Sequence, residues 1–231
     1  MDTHGEEGLK ELNSISHAHV LTMDVDEAKQ FSYCGVDVHE GRLRILFEES
    51  NLGTNIDDAL DPSVLFKALN NAPAPEGAAM NFVARMDVRR EYEPNAEGVR
   101  KQIAEILAQP DIKLSPNFED TYAKLLEASK DGKTELREDW ASTIGSFTRM
   151  YFEGLATQLK WQKFNEDEML QEGFNEEVSK GEIAFRVVDA LQKGTYSEAV
   201  FEDGVLYLQV SVTCSSTCQS YTGNPTRAPL S

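Results

Sequence analysis

The sequence predicts an α+β fold: a largely antiparallel sheet, built from an N-terminal meander and a C-terminal hairpin, covered by a layer of central helices. Two observations carry this expectation. Apolar residues recur at every second position near both ends of the 231-residue chain and at every third or fourth position in its middle; these are the periods of strands and helices that bury one face. Breaker residues separate the periodic stretches, and strands flanking a helical block argue for segregated layers.

Residues 19–26 open the pattern. His19, Leu21, Met23 and Val25 alternate with Val20, Thr22, Asp24 and Asp26, so the first set is expected to form the buried face of a strand. A second strand is expected over 31–38. His39-Glu40-Gly41 then reads as a three-residue hairpin loop in which glycine supplies the positive φ, and a third strand over 42–47 turns Leu43, Ile45 and Phe47 to one side. Asp61 followed by Pro62 marks a helix start, because aspartate caps free N–H groups and proline suits the first turn; Val64, Leu65, Ala68 and Leu69 follow at helical spacing. Residues 72–77, Ala-Pro-Ala-Pro-Glu-Gly, read as a loop. Beyond them Phe82, Ala84, Met86 and Val88 alternate with Arg85, Asp87 and Arg89 as a further strand.

Between residues 95 and 189 the period becomes helical. Val99, Ile103, Ile106 and Leu107 form one stripe, which ends before Pro110, and Phe118, Tyr122, Leu125 and Leu126 form a second. The longest helix is expected from Asp139, with Trp140, Ile144, Phe147, Tyr151, Leu155 and Leu159 along one side. Asn165 with Glu168 three residues later signals another helix, running through Leu170, Phe174 and Val178 towards Ile183, Phe185 and Val188. After Gly194 the strand period returns. Residues 196–201 and 205–213 flank Glu202-Asp203-Gly204 as a hairpin. The expected organisation is one α+β domain over 1–213 and a flexible tail over 214–231, a segment of Ser, Thr, Pro and Gly with little to bury.

Forty Asp and Glu against 22 Lys and Arg leave a net charge of −18. Such a field repels phosphate backbones, which disfavours direct nucleic-acid binding and leaves basic partners as the attracted class. Residues 1–13 contain Asp2, Glu6, Glu7 and Glu11 and no apolar run, so they read as neither a secretory signal nor a transit peptide. No stretch approaches the roughly 20 apolar residues of a membrane-spanning helix. Cys34, Cys214 and Cys218 do not make a disulfide framework, and a reducing, cytoplasmic setting is expected.

The nearest approach to a catalytic signal is His17-Ala18-His19. Two imidazoles two residues apart on a strand point the same way and offer a metal ion two ligands, with Asp24, His39 or Glu40 to complete the set. The His-x-His spacing is similar to that of cupins, but Phe31 stands where their pattern has glycine. Cys214 and Cys218 lack a second pair to complete a structural zinc site. Cys34 reads as a buried, inert thiol. Ile144-Gly145-Ser146-Phe147 lies within an amphipathic helix rather than at a nucleophile elbow, and no phosphate-binding glycine loop occurs. No cofactor is specified.

The acidic run over 166–182 places Glu166, Asp167, Glu168, Glu172, Glu176, Glu177 and Glu182 against a single base, Lys180. Folded as a helix, it offers an anionic solvent face on which a basic protein surface could dock. The leading expectation is therefore a non-catalytic protein-interaction or ligand-binding protein. Two alternatives stand beside it: a small metal-dependent enzyme using His17, His19 and His39, and a membrane-active, pore-forming-like α+β protein whose mobile element is the helix over 139–163.

Overall fold

The computed structural model describes residues 5–75, 78–131 and 136–212, apart from the side chains of Glu7, Leu60 and Asp131. The fold is α+β, with two sheets rather than one, and the chain divides into compact units Met1–Met86 and Asp87–Ser231. The tail expected over 214–231, with Cys214 and Cys218, lies outside the described residues.

In the first unit, α1 (Gly5–Ile15) precedes β1 (Leu21–Val25), β2 (Cys34–His39), β3 (Arg42–Phe47), α2 (Pro62–Asn71) and the start of α3 (Phe82–Asp87). α1 was not among the expected elements; its Leu12 and Ile15 join Leu69, Phe82 and Met86 in the core. The β2–β3 turn has two residues rather than three. Glu40 and Gly41 both take positive φ, the backbone twist that lets adjacent strands pair tightly. A side chain at Gly41 would also collide with the His17 ring. As expected, Asp61 caps α2, its carboxylate accepting from the Ser63 N–H at 2.7 Å.

The sheet order is β1-β3-β2, with β2 antiparallel and β1 parallel to β3. The hairpin reverses the chain, so β3 runs in the direction of β1 and the expected antiparallel meander becomes a mixed sheet. Cys34 and Val36 of β2 pack against Ala59 of a short turn and Ala68 of α2. The expected burial of the β1 face does not occur: Leu21 and Met23 are 62% and 52% exposed.

The stretch over 82–88 is helical, not a strand. Alternation misleads here because every residue from Phe82 to Val88 except Val83 is buried, Arg85 and Asp87 included, so no polar face breaks the pattern. The informative signal is Asn81, whose side-chain oxygen accepts the Ala84 N–H at 3.0 Å as a helix cap. The buried Arg85 guanidinium donates through Nε and Nη2 to Glu11 Oε2 at 2.9 and 2.8 Å, tying α3 to α1.

The second unit continues helically through a π turn (Val88–Tyr92) into α4 (Glu93–Ile106), followed by β4 (Lys113–Ser115), α5 (Phe118–Asp131), α6 (Ile144–Trp161) and α7 (Glu168–Glu177). A 3-10 turn (Trp140–Thr143) precedes α6, so the long helix starts later than expected. β5 (Glu182–Val188), β6 (Ser197–Glu202) and β7 (Val205–Ser211) complete the unit. The helix expected to continue to Val188 ends at Glu177. Gly181 takes a φ of +60°, and beyond it Ile183, Phe185 and Val187 alternate into the core as a strand.

Sheet order here is β4-β5-β7-β6, parallel except for the β6–β7 hairpin. Asp203 and Gly204 both take positive φ in its turn. β4 spans only the start of β5. The β5 carbonyls beyond it are met by side chains, with Asn117 Nδ2 donating to Phe185 O at 3.0 Å and Lys124 Nζ to Val187 O at 2.8 Å. The Phe185 ring stands edge-on to Phe147 at 5.6 Å and tilts against Tyr151 at 5.2 Å, so α6 seals this face of the sheet.

Candidate functional site

The acidic segment builds its surface on α7. Asp167 rather than Asn165 is the cap, its carboxylate accepting from the N–H groups of Met169 and Leu170 at 2.9 and 3.2 Å. The helix is held by its inner side. Phe174 is buried edge-on to Phe164 and Phe201, at 6.0 and 5.9 Å. Gln171 Nε2 donates to Ile106 O at 2.8 Å, and Asn175 Nδ2 to Leu107 O at 3.0 Å. These carbonyls end α4 and have no next turn to accept from, so α7 completes the helix that supports it.

With that side fixed, Glu168, Glu172, Glu176 and Glu177 face water. Met169 sits among them at 82% exposure, and Trp161, the last residue of α6, is 74% exposed. The short turn Phe164–Glu166 packs against both α6 and α7. The acidic segment is not one helix over 166–182. Glu182 lies in β5, where its carboxylate accepts from Ser115 Oγ at 2.6 Å, and it leaves the anionic row.

The histidines lie apart from this surface, in the first unit. His17 is exposed, its ring stacked over the Gly41 position of the β2–β3 turn. His19 is exposed at a φ of 51° just before β1 and does not share the strand geometry expected of the pair. His39 ends β2, with Nε2 4.0 Å from Glu40. Asp24 accepts from Thr22 Oγ1 at 3.0 Å. Among the described residues, no three His, Cys, Asp or Glu side chains are grouped so as to hold a metal ion. Cys34 is buried and free, its thiol donating to Asn55 O at 2.9 Å.

Two carboxylates with shifted titration are structural in their contacts. Asp87 is buried beside the start of α6, and Oδ2 accepts from the N–H groups of Gly145 and Ser146 at 2.7 and 2.9 Å. Burial raises its pKa, and the two N–H groups oppose the rise. Glu198 on β6 accepts from the backbone N–H groups of Gln192, Lys193 and Gly194 at 2.8, 2.8 and 2.9 Å. Those donors, with Gln209, hold its carboxyl down at about 2. Gln209 in turn accepts from Arg186 Nε at 2.7 Å, and Arg186 lies 4.0 Å from the Tyr207 ring centroid, so the network ties β5, β6 and β7 together.

Among the described residues no helix is long and apolar enough to cross a membrane. The acidic row was legible in the sequence. Met169 was not, since it falls between Glu168 and Leu170 and off the Leu170–Phe174–Val178 stripe. No protein-family model, curated protein or solved structure matches the chain.

Proposed function

We propose that the protein is a non-catalytic interaction protein that docks a basic protein segment on the outer face of α7. The observation that supports this reading is Met169, 82% exposed within the carboxylate row of Glu168, Glu172, Glu176 and Glu177 on a helix whose inner side is anchored. A flexible apolar side chain inside a charged rim has the anatomy of a contact patch: the thioether supplies adaptable burial and the carboxylates steer a cationic segment into place. The net charge of −18 adds long-range attraction for the same class of partner.

Selection of a random-peptide display library on the immobilised full chain tests the reading. The expected outcome is enrichment of sequences that combine Lys or Arg with apolar residues. Their binding should weaken with salt and fall at least about tenfold in Glu168→Gln/Glu172→Gln/Glu176→Gln and in Met169→Ala. No enrichment, or enrichment unchanged by these substitutions, would overturn it.

A further inference from the structure

β1 is the outer strand of the first unit's sheet, and its backbone polarity is fixed by the ladder it makes with β3. Leu43 N donates to Val20 O at 3.0 Å and Asp26 N to Phe47 O at 2.8 Å. The even-numbered residues therefore turn their peptide groups towards β3. By the alternation of a strand, the N–H and C=O groups of Leu21, Met23 and Val25 point away from the sheet, and of these Val25 O accepts from the Glu27 N–H at 2.9 Å.

The same three residues carry the apolar face. They lie in register with Leu43, Ile45 and Phe47 of β3, which face Val38, Val36 and Cys34 of β2. α2 covers the β2 side of this face and stops short of β1. Leu21, Met23 and Val25 are consequently 62%, 52% and 43% exposed, and Leu52 and Ile56, which line a hollow with Met23, Ile45 and Phe47, extend the apolar surface. Edge strands are ordinarily protected by proline, lysine, a bulge or a covering element. Residues 21–25 include no proline or lysine, and their one charge, Asp24, lies on the opposite face.

We infer that β1 is a self-association edge, which pairs antiparallel with β1 of a second copy of this chain about a two-fold axis at Met23. In that register Leu21 faces Val25 of the second copy, Met23 faces Met23, and Thr22 faces Asp24. Met23 exchanges both N–H···O bonds with its mate and each Val25 N–H donates to Leu21 O of the second copy, giving four interchain hydrogen bonds and joining two three-stranded sheets into one; Val25 O keeps its bond from the Glu27 N–H at 2.9 Å. The Thr22–Asp24 juxtaposition repeats the hydroxyl-to-carboxylate bond the strand already makes at 3.0 Å. Moving the axis to Asp24 sets two carboxylates against each other, and moving it to Thr22 leaves Val25 without an apolar partner. The strand is thus complementary to itself in one register. Two chains of charge −18 repel, so this association strengthens as salt is added, opposite to the salt response of basic-segment binding at α7.

Sedimentation velocity of the full chain over about a hundredfold range of concentration, at low and high salt, tests the inference. The expected result is a shift from monomer to dimer mass that moves to lower concentration with salt, is abolished in Met23→Lys and persists in Met169→Lys. A wild-type chain that stays monomeric throughout, a larger oligomer, or a Met23→Lys variant that dimerises as wild type does would overturn it. Should circular dichroism show Met23→Lys unfolded, Met23→Cys in a background lacking the three native cysteines replaces it. Residue 23 faces its own mate across the axis, so this variant is expected to form an interchain disulfide that Asp24→Cys does not; equal cross-linking of the two would count against the register.

Discussion

Gly145→Ala tests how the second unit is held together. A Cβ built at Gly145 lies 2.6 Å from Val88 Cα and 2.7 Å from both Asp87 O and Val88 N, all backbone atoms at the junction of α3 and the π turn that cannot rotate aside. To admit a methyl group α6 must withdraw, and withdrawal lengthens the bonds from Gly145 and Ser146 N–H to the Asp87 carboxylate. Overpacking of this kind costs about 1–3 kcal/mol, and loss of a helix-terminal cap costs about 1 more. Against this, alanine is favoured over glycine within a helix by about 1 kcal/mol, so the net loss is roughly 1–3 kcal/mol. Gly154 is the internal control. It lies in the same helix with nothing within 4 Å of its Cβ position, so Gly154→Ala is expected to gain up to about 1 kcal/mol. Urea unfolding followed through the fluorescence of Trp140, buried just ahead of α6 against Tyr122, reads both variants. With a slope of about 2 kcal/mol/M, the Gly145→Ala midpoint falls by roughly 0.5–1.5 M. A Gly145→Ala chain as stable as Gly154→Ala would refute the close-approach argument.

Two further outcomes follow from the polar contacts. Glu198 is held at about 2, below the ordinary glutamate value of 4.5, so its contribution is present in full above pH 4.5 and is lost as the pH falls through 2. The stability advantage of wild type over Glu198→Gln should therefore shrink across that window, as followed by urea midpoints at successive pH values; an advantage independent of pH contradicts the network. In the first unit, Glu11→Ala leaves the buried Arg85 guanidinium without its carboxylate, at a cost of about 3–5 kcal/mol. The double variant Glu11→Leu/Arg85→Met, which removes both charges, is expected to unfold at a higher temperature than Glu11→Ala alone.

Local chemistry was readable along the chain wherever a few adjacent residues determine the backbone. Asp61-Pro62 starts α2, the glycines at 41 and 204 close tight turns, and the apolar stripe through Val99 and Ile103 forms α4, because caps, positive φ and helical spacing act over one or two turns. The acidic row of α7 was equally visible as composition. Its exposed Met169 was not, because exposure depends on Gln171 and Asn175 reaching the end of α4, more than sixty residues away.

By itself, then, the sequence determined the α+β class, most of the helices and the anionic character. Tertiary structure alone decided three things. It buried residues 82–88 nearly all round, so that beyond the Asn81 cap the segment shows no polar face from which its helical period can be read. It divided the strands between two mixed sheets, since periodicity says which residues share a face and nothing about which strand lies alongside or in which direction. And, among the described residues, it left the β1 face exposed: Leu21, Met23 and Val25 have the pattern of a buried face, but α2 stops over β2, and only the arrival of another element turns such a face into core.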